Sequence, residues 1–231
     1  TVTVNAVNDA PTANAATGAT DEDQSTVIAL SGDDIDGDNL TFVLTADAVN
    51  GSVTLDGSLA TYTPSADFNG NDSFTFSVTD GQYSSTADVT VSVAAVNDAP
   101  VLAAVADVSF DEDGSGSVSV SGSDVDGDQL TFSITGGTDI TASLSGTDVT
   151  FGAPENYNGS EDFTVSVTDG EYTDSQSITV TVNAVNDAPV LASIDDREID
   201  EDNSLIILLS AFDVEGDMLS YDITSGTNIS S

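Results

Sequence analysis

The stretch Val4-Asn5-Ala6-Val7-Asn8-Asp9-Ala10-Pro11 decides the architecture, because it returns unchanged at 182–189 and as the near-copy Val93-Ala94-Ala95-Val96-Asn97-Asp98-Ala99-Pro100 between them. Pro11, Pro100 and Pro189 stand 89 residues apart, and a fixed period of that length marks a tandem array of small domains. Other landmarks keep step within one residue. Asp-Glu-Asp occurs at 21–23, 111–113 and 200–202, and Phe68-Asn69-Gly70 matches Tyr157-Asn158-Gly159. An acidic loop reads Asp34-Ile35-Asp36-Gly37-Asp38, then Asp124-Val125-Asp126-Gly127-Asp128, then Asp213-Val214-Glu215-Gly216-Asp217. The organisation expected is the last strand and linker of a preceding repeat at 1–10, complete repeats at 11–99 and 100–188, and the first part of a further repeat at 189–231. The chain then reads as an interior piece of something larger.

Each unit reads as all-β. Leu40-Thr-Phe42-Val-Leu44 and Leu130-Thr-Phe132-Ser-Ile134 alternate with the period of a half-buried strand, as do Phe74–Val78, Phe163–Val167, Val89–Val93 and Ile178–Val182. Gly, Asn and Asp turns separate them, and no segment sustains helical apolar spacing. Roughly seven short strands in about 90 residues is the pattern of an immunoglobulin-like sandwich, so the fold class expected is a linear array of β-sandwich repeats. Phe42, Phe76 and Phe132 are assigned to the core.

Composition narrows the function. The 231 residues carry 41 acids against one base, Arg197, for a formal net charge of −40, and 33 of the acids are Asp. Such a chain repels nucleic-acid phosphates and anionic lipid. Without His or Cys it holds no zinc cluster, disulfide, thiol nucleophile or Ser-His-Asp triad. No apolar run is long enough for a membrane helix, and no basic segment marks a signal peptide. A hydrophobic content of 39% separates it from acidic disordered chains.

The excess of Asp over Glu points to turns and to metal ligation, since the short carboxylate suits both. Asp-Gly pairs such as Asp56-Gly57, and Asp148, read as ordinary turn residues. Three acids within five residues exceed what a turn needs. In this topology alternate loops gather at the same pole, so the Asp-x-Asp-Gly-Asp loop and Asp80-Gly81 would converge near the preceding linker. Each pair of carboxylates at about 4 Å costs about 4 kcal/mol at an effective dielectric near 20, which calls for a cation. An all-oxygen set rich in Asp suits Ca2+ rather than Mg2+, whose geometry is stricter. An EF-hand is excluded, because the twelfth position from Asp34, Asp124 and Asp213 is Thr45, Thr135 and Thr224. Asp21 and Asp23 of the Asp-Glu-Asp turn also admit a plainer reading as solvated residues that guard a sheet edge.

Taken in order, Glu in an early turn, Asp-x-Asp after the second strand, Asp-Gly before the last strand and Asn-Asp-x-Pro at the linker resemble cadherin repeats. The pattern most resembles the bacterial cadherin-like tandem repeats of large surface adhesins, and the resemblance runs along the whole chain. It implies calcium clusters that draw ligands from the upper domain, the linker and the lower domain. Carried over by position, one junction takes Glu22, Asp67, Asn97, Asp98, Asp124, Asp126 and Asp169. The next takes Glu112, Asn156, Asn186, Asp187, Asp213 and Glu215, and Asn8, Asp9, Asp34, Asp36 and Asp80 form half of a preceding one. The Asp-Arg-Glu motif of cadherins is absent, with Asp67-Phe68-Asn69 in its place, and Ala95, Ala184, Ala99 and Ala188 stand at usual ligand positions. Fewer ligands imply one or two ions per junction rather than three.

The function this implies is a calcium-stiffened spacer in a secreted or surface-exposed bacterial adhesin or filament. Its partners would be adjacent repeats of the same chain, with other copies in a filament or cell-surface ligands beyond them, and neither nucleic acid nor a membrane. The alternative is a module that itself binds a glycan or a partner protein, although five Tyr and no Trp offer few stacking platforms. An enzymatic role as a carboxylate-pair glycosidase fits poorly, because the acids recur once per repeat.

Overall fold

The computed structural model describes residues 1–223, and these contain strands and turns but no helix. The last eight residues of the segment from 189 to 231 lie outside the described residues. Two compact units divide the chain, Thr1–Asp98 and the remainder from Ala99 onward.

The first unit runs β1 (Thr12–Asn14), β2 (Ala16–Asp21), β3 (Thr26–Ala29), β4 (Ser31–Asp33), β5 (Thr41–Ala46), β6 (Gly51–Asp56), β7 (Leu59–Pro64), β8 (Gly70–Thr79) and β9 (Ser84–Ala94). One sheet has the order β2-β9-β8-β5 and the facing sheet β3-β7-β6, while β1 pairs with β4. Only β2 and β9 run parallel; the other ladders are antiparallel. This is a seven-strand immunoglobulin-like sandwich whose first and second strands are each broken into two pieces. Every second residue of β8 and β9 faces inward, so Phe74, Phe76, Val78, Val89, Val91 and Val93 meet Ile28, Leu30, Val53, Ala60 and Tyr62 from the facing sheet. Each such side chain contributes about 1.5–3 kcal/mol by leaving water.

The second unit repeats the plan with β10 (Val101–Leu102), β11 (Val108–Asp111), β12 (Ser115–Ser119), β13 (Gly122–Ser123), β14 (Thr131–Gly136), β15 (Thr141–Ser145), β16 (Asp148–Gly152), β17 (Gly159–Thr168) and β18 (Thr173–Asn183). Its sheets are β11-β18-β17-β14 and β12-β16-β15, again with β11 parallel to β18. Two further short strands, β19 (Val190–Leu191) and β20 (Ala211–Phe212), pair as β10 does with β13. The two complete sandwiches are thus tandem copies of one domain.

One expectation needs correction. Phe42 and Phe132 are only half-buried, packing against the margin of each core, because β5 and β14 are edge strands that the facing sheet does not fully cover. The offset between the repeats, 90 residues from Leu40 to Leu130 and 89 from Phe68 to Tyr157, has a local cause. In β5 the register slips between Leu44 and Ala46, a bulge at Thr45 that β14 lacks, and it absorbs an extra residue without turning the following side chains over.

Candidate metal centre

Strand register brings the acids to the domain ends. At the start of the first unit, β1 pairs Thr12 with Asp33, so the loop Asp34–Asp38 begins where the chain enters from Asn8 and Asp9. The pairing of Thr41 with Thr79 sets the end of that loop beside Asp80. Carboxylate oxygens of Asp34, Asp38 and Asp80 lie within 4.8 Å of one another. The Asp9 amide donates to Asp36 Oδ2 at 2.7 Å, and the Asn8 side chain donates to Asp80 Oδ2 at 2.8 Å. Asp34 Oδ1 accepts the amides of Asp36 and Asp38 at 2.9 and 3.2 Å, while its Oδ2 is enclosed and has no donor. The amide of Tyr83, then the Asn8 side chain and the amide of Gln82, hold the Asp80 carboxyl below the usual range and keep it charged.

The other end of the unit is built by the parallel pair β2–β9. Asp21 sits opposite Ala94, so Glu22 reaches the linker, where its Oε1 accepts the Val96 amide. Glu22 is 3% exposed, a burial that charged residues seldom accept without a partner. Asp23 Oδ1 accepts the Asp67 amide at 3.2 Å, and carboxylate oxygens of Asp23, Asp67 and Asp98 again lie within 4.8 Å of one another. The Asn97 side chain donates to the Asp98 carbonyl at 3.2 Å. Asp23 and Asp67 have φ of 59° and 57°, left-handed values that Asp tolerates better than most residues.

In the second unit, Asp124, Asp126 and Asp128 lie on the loop after β13, and the Asp128 amide donates to Asp124 Oδ1 at 3.2 Å. The pairing of Thr131 with Thr168 brings Asp128 and Asp169 to one end, where Asp169 Oδ1 accepts the amides of Glu171 and Tyr172. At the far end, the linker after β18 meets acids from both sides. Glu112, 7% exposed, accepts the Val185 amide at Oε1, whereas its Oε2 is enclosed without a donor. The Asp187 amide donates to Glu215 Oε2 at 3.2 Å, the Asn186 side chain donates to the Asp187 carbonyl at 2.9 Å, and Asp213 is 7% exposed. Asp113 Oδ1 accepts the Asn156 amide at 3.0 Å. Partial burial, then the charges of Glu215, Asp113, Glu112 and Asp213, push the Asp187 carboxyl above its ordinary value.

These groups fit a hard cation. Carboxylate oxygens less than 5 Å apart can sit on one ion with metal–oxygen distances of 2.3–2.6 Å, the range for Ca2+. Three negative charges at that spacing otherwise repel by about 3 kcal/mol per pair. The chain has neither His nor Cys to offer a metal, and the clusters present only oxygen, which favours oxygen-seeking ions. The spacing also adds Asp38 and Asp23 to the acids that could share an ion. Asp38 is the last acid of the Asp-x-Asp-Gly-Asp loop, and the third acid in five residues was the available signal for it.

The profile of the bacterial Ig domain family matches residues 8–92 and 97–181, and the chain belongs to that family. No curated protein sequence shows a significant match. Among solved structures, human protocadherin-24 EC1-2 is 18% identical, with 76% of this chain and 100% of that one covered and a TM-score of 0.51. The extracellular cadherin domains 1-4 of protocadherin gamma B7 are 18% identical over 75% of this chain and 49% of that one, with a TM-score of 0.50. At this identity the likeness shows the fold. An endo-fucoidan hydrolase from glycoside hydrolase family 107 is 23% identical at a TM-score of 0.34, and the chain spans only 29% of its length. The bacterial Ig domain and the cadherin domain are non-catalytic folds.

Proposed function

We propose that the chain is a spacer segment of an extracellular bacterial protein of the adhesin or surface-filament type, stiffened by Ca2+ held at the linkers between its sandwiches. The observation that carries this reading is the environment of Asp187. Two enclosed carboxylate oxygens without donors, Glu112 Oε2 and Asp187 Oδ2, stand among the charges of Asp113, Asp213 and Glu215. An enclosed carboxylate oxygen with neither donor nor counter-charge is costly to keep in a fold, and a bound cation removes that cost.

The residues divide the work. Glu112 is anchored by the Val185 amide, so it ties the body of the second sandwich to the linker. Glu215 accepts the Asp187 amide and so ties the linker to the segment that follows. Calcium, when bound, would supply the positive charge and the six to eight oxygen contacts that lock these ties together. Metal occupancy then becomes rigidity of the linker, because an ion held only in the ordered arrangement stabilises it by mass action.

Calorimetry of the full chain with Ca2+, with Mg2+ and after Glu112→Gln tests the assignment. The expected result is heat with Ca2+, a weaker response to Mg2+, and loss of part of the Ca2+ binding in the variant. No binding at millimolar Ca2+ would overturn it.

A further inference from the structure

The site in each unit is built on the same three positions, and one of them differs. The first position is the acid that follows the buried glutamate, Asp23 or Asp113, held at φ of 59° or 61°. The second is a residue of the loop that precedes β8 or β17, whose amide donates to that acid at 3.2 Å from Asp67 and 3.0 Å from Asn156. The third is the linker acid, Asp98 or Asp187. The first unit therefore offers three carboxylates whose oxygens lie within 4.8 Å, whereas the second offers two and an amide. That the second set faces a ligand is indicated independently by Glu112, which is 7% exposed with an enclosed Oε2 that no donor reaches.

We propose that Asn156 makes the site around Asp187 weaker than its counterpart Asp23–Asp67–Asp98, so that these two equivalent sites load in two steps, the Asp23–Asp67–Asp98 site at lower metal concentration. The inference rests on the calcium reading above and names a mode of regulation for the same residues. Ligand charge is what tunes otherwise similar oxygen sites for Ca2+ across several orders of magnitude, and a carboxylate replaced by an amide keeps the oxygen while losing the charge. Linkers of one chain would then stiffen at different metal concentrations, giving a graded response rather than a single transition. Asp and Asn both tolerate the left-handed backbone found at 67 and 156, so exchanging them leaves the loop intact.

The test is Ca2+ calorimetry of the full chain as wild type, Asn156→Asp and Asp67→Asn, with circular dichroism to verify folding. Two classes of site are expected in the wild type. Asn156→Asp should tighten the weaker class by about tenfold, and Asp67→Asn should weaken the tighter class by about as much, in line with the range that ligand charge spans. Calcium binding that neither exchange alters, or Asp67→Asn acting on the weaker class, overturns the two-step loading and leaves the calcium reading standing. No calcium binding by any of the three chains overturns both.

Discussion

The two sandwiches solve the same packing problem with opposite choices of side chain. Where the first has Thr20, Thr26 and Tyr62, the second has Phe110, Gly116 and Phe151, positions tied together by the ladders Thr20–Val93, Thr26–Tyr62, Phe110–Val182 and Gly116–Phe151. A large ring at 110 is admitted because its neighbour has no side chain: a Cβ at Gly116 would lie 2.7 Å from carbons of Phe110 and Val108. Beside this, Gly18, Ile28 and Ala60 in the first become Val108, Val118 and Val149 in the second. The architecture constrains the volume summed across facing strands more tightly than any one residue.

A second exchange involves polar groups. Asp72, 6% exposed, accepts the amides of Val49, Asn50 and Ser73 and the Tyr62 hydroxyl at 3.0 Å, and so fastens the connection between β5 and β6. The second sandwich uses Glu161, one methylene longer, which accepts the amides of Thr138, Asp139 and Ile140 without help from Phe151. Burial first, then the bond to Asp72, pushes the Tyr62 phenol up to about 12, so it stays a donor at any physiological pH.

Energetically, the two sandwiches diverge most at the core pair. Phe110→Thr should cost the second unit about 3 kcal/mol by leaving a cavity, and Gly116→Val about 2 kcal/mol by overpacking. Together they should cost clearly less than the sum, because each relieves the other. Urea unfolding followed by hydrogen exchange on peptides of each unit measures this, and strict additivity would show that the two positions do not share space.

Next in size is the polar clamp. Asp72→Ala should remove about 3 kcal/mol from the first unit by stranding three amides and a phenol, while Tyr62→Phe alone should cost about 1 kcal/mol. Combining Tyr62→Phe with Asp72→Glu reproduces the pairing of the second unit and should recover part of that loss. A double variant less stable than Tyr62→Phe alone would mean that the longer carboxylate cannot reach the same amides here.

The smallest effect is in the pH profile. Burial by itself would raise the Asp72 carboxyl, but the donors of Ser73, Asn50, Tyr62 and Val49 outweigh it and hold the group below the usual range. A carboxyl depressed in the folded state stabilises fully above its unfolded value, about pH 4, and that stability is lost as pH falls through the folded value. Acidification also relieves the general repulsion in a chain of net charge −40, so the observable is the stability difference between wild type and Asp72→Asn. It should shrink from pH 6 to pH 3; a constant difference would contradict the assignment.

Much of this was legible in the sequence, for a physical reason. Alternation along Phe74–Val78 and Val89–Val93 and the recurring Asn-Asp-Ala-Pro are local patterns, and strands and linkers are local objects. Asp72 and Glu161 were not legible, because the loop amides they fasten, Val49 and Asn50 or Thr138 to Ile140, lie more than 20 residues away and, in sequence, they look like two more acids among 41. Phe42 and Phe132 misled because alternation reports which face a residue occupies, not whether its strand is central or at an edge. The repeat of the acids marked the loops Asp34–Asp38 and Asp124–Asp128, whereas the clustering of Asp23 with Asp67 and Asp98 required the fold.

Metal at the linkers is proposed to set their stiffness, and small-angle X-ray scattering of the full chain in calcium and again in excess chelator reads that stiffness directly. The expected result is a long, narrow distance distribution with calcium and a broader one with a shorter mean span without it, while circular dichroism shows the sandwiches still folded. Superimposable scattering in the two conditions would contradict it.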